Sequence, residues 1–158
     1  MENPAMKRTD SWLEERMYNI WENHFADIPR KNHVIIKYGR SSIRQLGSIK
    51  WAQNNTRIKS LIQKKDVREL VETQDDRRIT VITITRKFQD LSVPQYVIES
   101  TIAHELVHYA HGFSSPLARQ HKHPHKGGLI RKELEKRGMG TIHRNARKWI
   151  REHWQTYQ

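Results

Sequence analysis

Pro94-Gln95-Tyr96-Val97-Ile98-Glu99-Ser100-Thr101-Ile102-Ala103-His104-Glu105-Leu106-Val107-His108-Tyr109-Ala110-His111 is the stretch on which the reading of this chain turns. Proline suits the first turn of a helix, where its missing N–H would have no partner and its fixed φ is already helical. Val97, Ile98, Ile102, Leu106 and Val107 follow at helical spacing, and Gly112 stands where a C-terminal glycine belongs. Ser92 is the expected N-terminal cap. Inside this helix lies His104-Glu105-Leu106-Val107-His108, the HExxH pattern. Residues four apart on an α-helix are separated by about 40° in azimuth and about 6 Å along the axis. Two imidazoles so placed can converge on one zinc ion, with bonds of about 2.0–2.1 Å. Glu105 falls beside them, where its carboxylate can serve as general base towards the attacking water. A chain with this His and Glu content would hold about 0.04 such matches by chance, so the pattern carries information.

A hydrolytic zinc site usually has three protein ligands and one open position, so a third ligand must come from elsewhere. His111 shares the azimuth of His104 within about 20° but lies about 10 Å further along the axis, so an unbroken helix cannot bring both to one metal. His121, His123 and His125 stand in a loop rich in Ser, Pro and His over residues 113–125, close enough for the chain to turn back. Spacing does not choose among them, although a solvated loop is the better reading for His121 and His123. A different zinc hydrolase with an acidic third ligand is a rival, yet no Asp or Glu follows His108 before Glu133.

Outward from this helix the elements are short. Ser11 and Glu14 form a capping-box pattern ahead of Leu13, Met17, Ile20 and Trp21, which predicts a first helix to about Phe25, before Ile28-Pro29. Val34, Ile35 and Ile36 read as a strand, and residues 43–51 as a second. Asn54-Asn55 signals a turn, while residues 58–72 are ambiguous between helix and hairpin. Residues 79–85, Ile-Thr-Val-Ile-Thr-Ile-Thr, have the β-branched density of a strand. Downstream, residues 129–137 form a helix closed by Gly138, and residues 141–154 a last, basic one.

Composition bounds the function. The 158 residues fit one domain, and Leu, Ile, Val and Phe exceed a fifth of the chain, enough for a thin core. Zero cysteines exclude disulfides, thiolate catalysis and Cys-ligated metal. No apolar run approaches the roughly 18 residues of a membrane span, and residues 1–10 lack the apolar stretch of a secretory signal. The expectation is a soluble cytoplasmic protein without membrane contact, open to nucleoid or nuclear association. Net charge is +12, and residues 119–158 hold 11 Lys and Arg against 3 Asp and Glu. A positive field so concentrated favours polyanions such as DNA. Arg144, Arg147, Lys148 and Arg151 fall on one helical stripe and are the candidate nucleic-acid contacts. Ile142, Ala146, Trp149, Ile150 and His153 form the row expected to pack on the domain.

The run from Ile102 to His108, followed by Pro124-His125-Lys126-Gly127-Gly128-Leu129, resembles the SprT-like zinc metallopeptidases. The resemblance spans roughly residues 12–137. It implies an α+β, zincin-like single domain, a small β-sheet packed on the HExxH helix with basic helices after it. It implies Zn2+ held by His104, His108 and His125, with Glu105 catalytic. It also implies proteolysis of DNA-associated or DNA-crosslinked proteins, the bound partner being DNA without sequence preference. On this reading residues 1–10 are a flexible start, 11–140 the peptidase domain and 141–158 the basic C-terminal helix. By analogy with other zinc proteases, the strand at 79–85 is expected to take extended substrate along an exposed edge. Three features depart from the family. Leu129 stands where an aromatic is usual, there is no cysteine zinc ribbon, and residues 54–76 are long for a connection. The alternative is a nucleic-acid-binding module on an inactive zincin fold.

Overall fold

Two short strands, β1 (Val34–Tyr38) and β2 (Gly47–Trp51), flank a third, β3 (Thr80–Ile84), in the computed structural model, which describes residues 7–53 and 76–157. The turn expected at Asn54-Asn55 and the ambiguous stretch 58–72 lie outside the described residues. β1 runs parallel to β3, with Ile36 opposite Ile82, and β2 runs antiparallel to it, with Ile49 opposite Ile82. The order is β1-β3-β2, so β3 is internal. This corrects the expectation that the strand at 79–85 offers an exposed edge, since both of its edges are paired. Its β-branched residues serve two faces, as a central strand requires. Ile82 and Ile84 enter the main core, while Ile79 and Val81 pack with Ile35 and Ala52 on the other side. The second strand is shorter than the expected 43–51, and ahead of it the carbonyl of Ile43 accepts the indole N–H of Trp154 (2.9 Å).

Four α-helices accompany the sheet among the described residues, making a small α+β domain. α1 (Asp10–His24) packs Leu13, Met17, Ile20 and Trp21 into the core. Its cap is Thr9, not the expected Ser11, for the Thr9 hydroxyl accepts from Trp12 N (3.1 Å). Asp10, freed for another task, accepts from Tyr38 N (2.9 Å) and ties the helix to β1. α2 (Gln95–Ala110) is the HExxH helix; Pro94, expected in its first turn, is instead its extended N-cap residue, and no side chain caps it. Ser92 is turned away, its hydroxyl donating to Asp90 (2.7 Å). α2 ends in a paired-bond stop. Gly112 N donates to Tyr109 O (3.1 Å) and Phe113 N to His108 O (2.9 Å). Gly112 takes φ 85°, and a Cβ there would lie 2.5 Å from Ala118 O, so only glycine fits.

α3 (Leu129–Lys136) and α4 (Gly140–His153) lie on the flank of α2 away from the sheet, and a 3-10 turn, Trp154–Tyr157, ends the described chain. Ala146 and Trp154 belong to the same core as α1, α2 and the sheet. Of the row expected on the buried face of α4, Ile142, Ala146, Trp149 and Ile150 pack inward, but His153 is exposed. His143 is buried in its stead. No helix among the described residues is long and apolar enough to cross a membrane.

A buried polar network locks α2 to the sheet. The Tyr109 hydroxyl donates to Asn32 Oδ1 (2.7 Å), and Asn32 Nδ2 donates to Thr80 Oγ1 (2.8 Å) and to Arg78 O (3.0 Å). The Thr80 hydroxyl in turn donates to Ser114 O (2.7 Å), just past the end of α2. Asn32 is 1% exposed, so truncation leaves its partners unsatisfied in the interior. Asn32→Ala is expected to cost about 2–4 kcal/mol in urea unfolding. A loss under about 0.5 kcal/mol, the level of an ordinary surface substitution, would contradict this role.

Candidate metal centre

His104 and His108 project from one face of α2, as residues four apart must, with Nε2 atoms 3.1 Å from each other. His125 reaches them from the loop that follows. Its ring centre lies 4.7 Å from that of His108 and 5.5 Å from that of His104. One nitrogen from each of the three rings falls within 4.8 Å of the others, close enough to hold a metal ion. Hydrogen bonds bring the loop back along the end of α2. Ser115 Oγ donates to Tyr109 O (2.7 Å), and Gln120 donates to His111 O (3.0 Å) and Ala110 O (3.3 Å).

The other candidate ligands lie elsewhere. His121 packs its ring on His111 (4.6 Å), and His123 is exposed outside the cluster. His111 stays with the far turn of the helix, as its axial distance required. Glu133, the rival acidic ligand, is bound to Arg137 (2.9 Å) and sits 3.8 Å from His111.

Burial prepares the imidazoles for a cation. Desolvation, reinforced by His108, His125 and His143, pushes His104 down to about 3. Desolvation together with His125 and His111 pushes His108 down to about 4. Both rings are therefore neutral at pH 7, with lone pairs free to coordinate. The three converging nitrogens fit a divalent metal. His108 Nδ1 is buried without a hydrogen-bond partner among the described residues, so packing against Phe113 (5.9 Å) orients this ring. Glu105 lies beside the cluster, 4% exposed, and burial pushes its carboxyl up to about 8.

A cleft of about 780 Å³ opens over these groups. β2 and the residues before it form one wall, from Arg44 to Lys50. Arg131, His143, Arg147 and Ile150 stand on the other, and His104, Glu105 and His108 also line it. The sequence reading missed the β2 wall and His143; a period-four reading through Ile142, Ala146 and Ile150 passes beside His143 without marking it as buried. Arg144, Arg147, Lys148 and Arg151 are all exposed along α4. Arg144 also bonds Thr141 (3.1 Å) and lies 3.7 Å from Glu135. Compared with protein-family models, curated proteins and solved structures, the chain matches none.

The titrations have opposite signs in the metal-free protein. Glu105, raised from 4.5 to about 8, keeps a proton that the unfolded chain releases, so its contribution is complete below 4.5 and lost as pH rises towards 8. His104 and His108, lowered from 6.5, contribute fully above 6.5 and lose stability as pH falls through 4 and 3. In thermal melts of metal-free protein, Glu105→Gln should gain on wild type steadily from pH 5 to pH 8. A gap independent of pH would contradict burial of an ionisable carboxyl at this position.

Proposed function

We propose that the chain is a zinc metalloendopeptidase of the SprT-like kind, with a zincin-like arrangement of sheet and active-site helix. The observation that carries this reading is the convergence of His104, His108 and His125 beside the buried carboxyl of Glu105. When bound, zinc supplies a Lewis acid that polarises a carbonyl and makes water acidic enough to give a nucleophile near neutral pH. His104, His108 and His125 would hold it, which would place its positive charge beside Glu105. With that charge beside it, the Glu105 carboxyl would come down from about 8 towards the range in which it both accepts and returns a proton. Water attacks the scissile carbonyl carbon, and Glu105 takes its proton. The C–N bond then breaks, and Glu105 delivers the proton to the leaving amine.

Substrate lies along β2. Among the described residues β2 is paired only with β3, so its other edge can accept an extended peptide by main-chain hydrogen bonds. Ser48, Ile49 and Lys50 line the cleft beside the metal ligands. Arg147 belongs both to this cleft and to the exposed stripe of Arg144, Lys148 and Arg151. This continuity supports DNA-associated or DNA-crosslinked proteins as substrates, with DNA held through its phosphates on α4. The second reading, a nucleic-acid-binding module on an inactive zincin fold, uses the same stripe without the chemistry.

One set of variants separates the readings. Glu105→Gln should retain one zinc per chain and lose peptidase turnover by about 10²–10⁴-fold, because only proton transfer is removed. Cleavage equal to wild type would overturn the mechanism. Reversal of Arg144, Arg147 and Arg151 to Glu should weaken DNA binding and flatten its salt dependence without changing zinc content. Wild-type protein that binds zinc and DNA yet cleaves no unfolded or DNA-tethered protein would establish the binding module instead.

A further inference from the structure

The wall of the cleft formed by β2 rests directly on the catalytic carboxylate. Gly47 opens the strand, opposite Ile84 of β3. A Cβ built on it would lie 2.9 Å from Thr101 Cγ2, 3.0 Å from Glu105 Oε1 and 3.4 Å from Glu105 Cγ. Thr101 and Glu105 are four apart on α2 and present one surface to the strand. Gly47 does not occupy the left-handed region, so its backbone conformation makes no demand for glycine. Close approach makes the demand.

We propose that Gly47 is a positioning residue for the hydrolytic reaction. By lacking a side chain it lets the substrate-bearing strand descend onto α2 and fixes the height of the peptide track above Glu105. The inference rests on the peptidase reading.

A methyl group at position 47 must displace one of two neighbours. The Thr101 rotamer is held by its own hydroxyl, which donates to Val97 O (3.1 Å). The Glu105 carboxylate ends a flexible side chain, and no hydrogen bond from the described residues restrains it. The carboxylate therefore yields first. Such a shift is cheap for the fold and damaging for proton transfer, where a displacement of about 1 Å can cost about 10²-fold in rate.

The test uses the full chain loaded with zinc. Gly47→Ala should keep one zinc per chain and the wild-type melting temperature within a few degrees. Its kcat should fall at least about tenfold while KM stays within about twofold, the pattern of an interaction made in the transition state. Thr101→Ser in the Gly47→Ala background removes the Cγ2 methyl, keeps the hydroxyl, and should recover part of the lost kcat. In a crystal structure of zinc-loaded Gly47→Ala, the Glu105 carboxylate should stand away from its wild-type position. Wild-type kcat in Gly47→Ala, a loss of zinc in step with kcat, or an unmoved carboxylate would each overturn the proposal. A wild-type protein without peptidase activity would instead overturn the functional reading, and the crystal structure of the variant would still decide the role of Gly47.

Discussion

Burial of α2 on nearly every side is the constraint from which the rest of the structure follows. Val97, Ile98, Ile102 and Val107 are fully enclosed, and the sheet, α1, α3 and α4 all pack around this one helix. The same enclosure buries Glu105 and His108 and half-buries His104. It holds one carboxyl protonated against its ordinary tendency near neutral pH, and it keeps two imidazoles neutral well below the pH at which they would ordinarily charge. A cation between the rings would reverse the cost of this arrangement, since it uses the lone pairs and favours the ionised carboxylate. Core and site are thus one object, and the network from Tyr109 through Asn32 to Thr80 keeps the site end of the helix fixed on the sheet.

What the sequence disclosed follows from how local each feature is. The helix at 95–110 and the pairing of His104 with His108 are matters of helical period, which four or five residues reveal. The β-branched run at 79–85 likewise announced a strand. Its neighbours could not be read, because β1 and β2 meet it across long stretches of chain. An internal strand and an edge strand of this composition look alike until the pairing is known. Pairing on both sides thus removes β3 as an open edge, and beside the cleft the open edge among the described residues is that of β2. Among the histidines, helical geometry excluded His111, but only a resemblance favoured His125 over His121 and His123. In the fold, His121 packs on His111, and His125 completes the cluster. Gly47 was invisible for the same reason as the edge: its importance lies in a crossing between residues 47 and 105.

The basic surface is a separate layer of the design. α4 uses Ile142, His143, Ala146, Trp149 and Ile150 to pack on the domain, which leaves its cations outward. The aromatic anchor of Trp154 on Phe88 (5.4 Å), with Lys87 Nζ donating to Tyr157 O (2.6 Å), holds the end of that helix against the body. Arg147 consequently stands at a fixed place on the rim of the cleft rather than on a loose tail. Through Arg147 the basic face of α4 and the cleft lined by β2 and the three histidines are continuous.

The central claim is that His104, His108 and His125 form one metal centre. Its most direct test is X-ray diffraction from zinc-loaded crystals at the zinc absorption edge. The account predicts a single anomalous peak about 2.0–2.1 Å from Nε2 of His104, Nε2 of His108 and a ring nitrogen of His125, with one coordination position free of protein. An absent peak after zinc loading, or an ion held by His121, His123 or Glu133 instead, would contradict it.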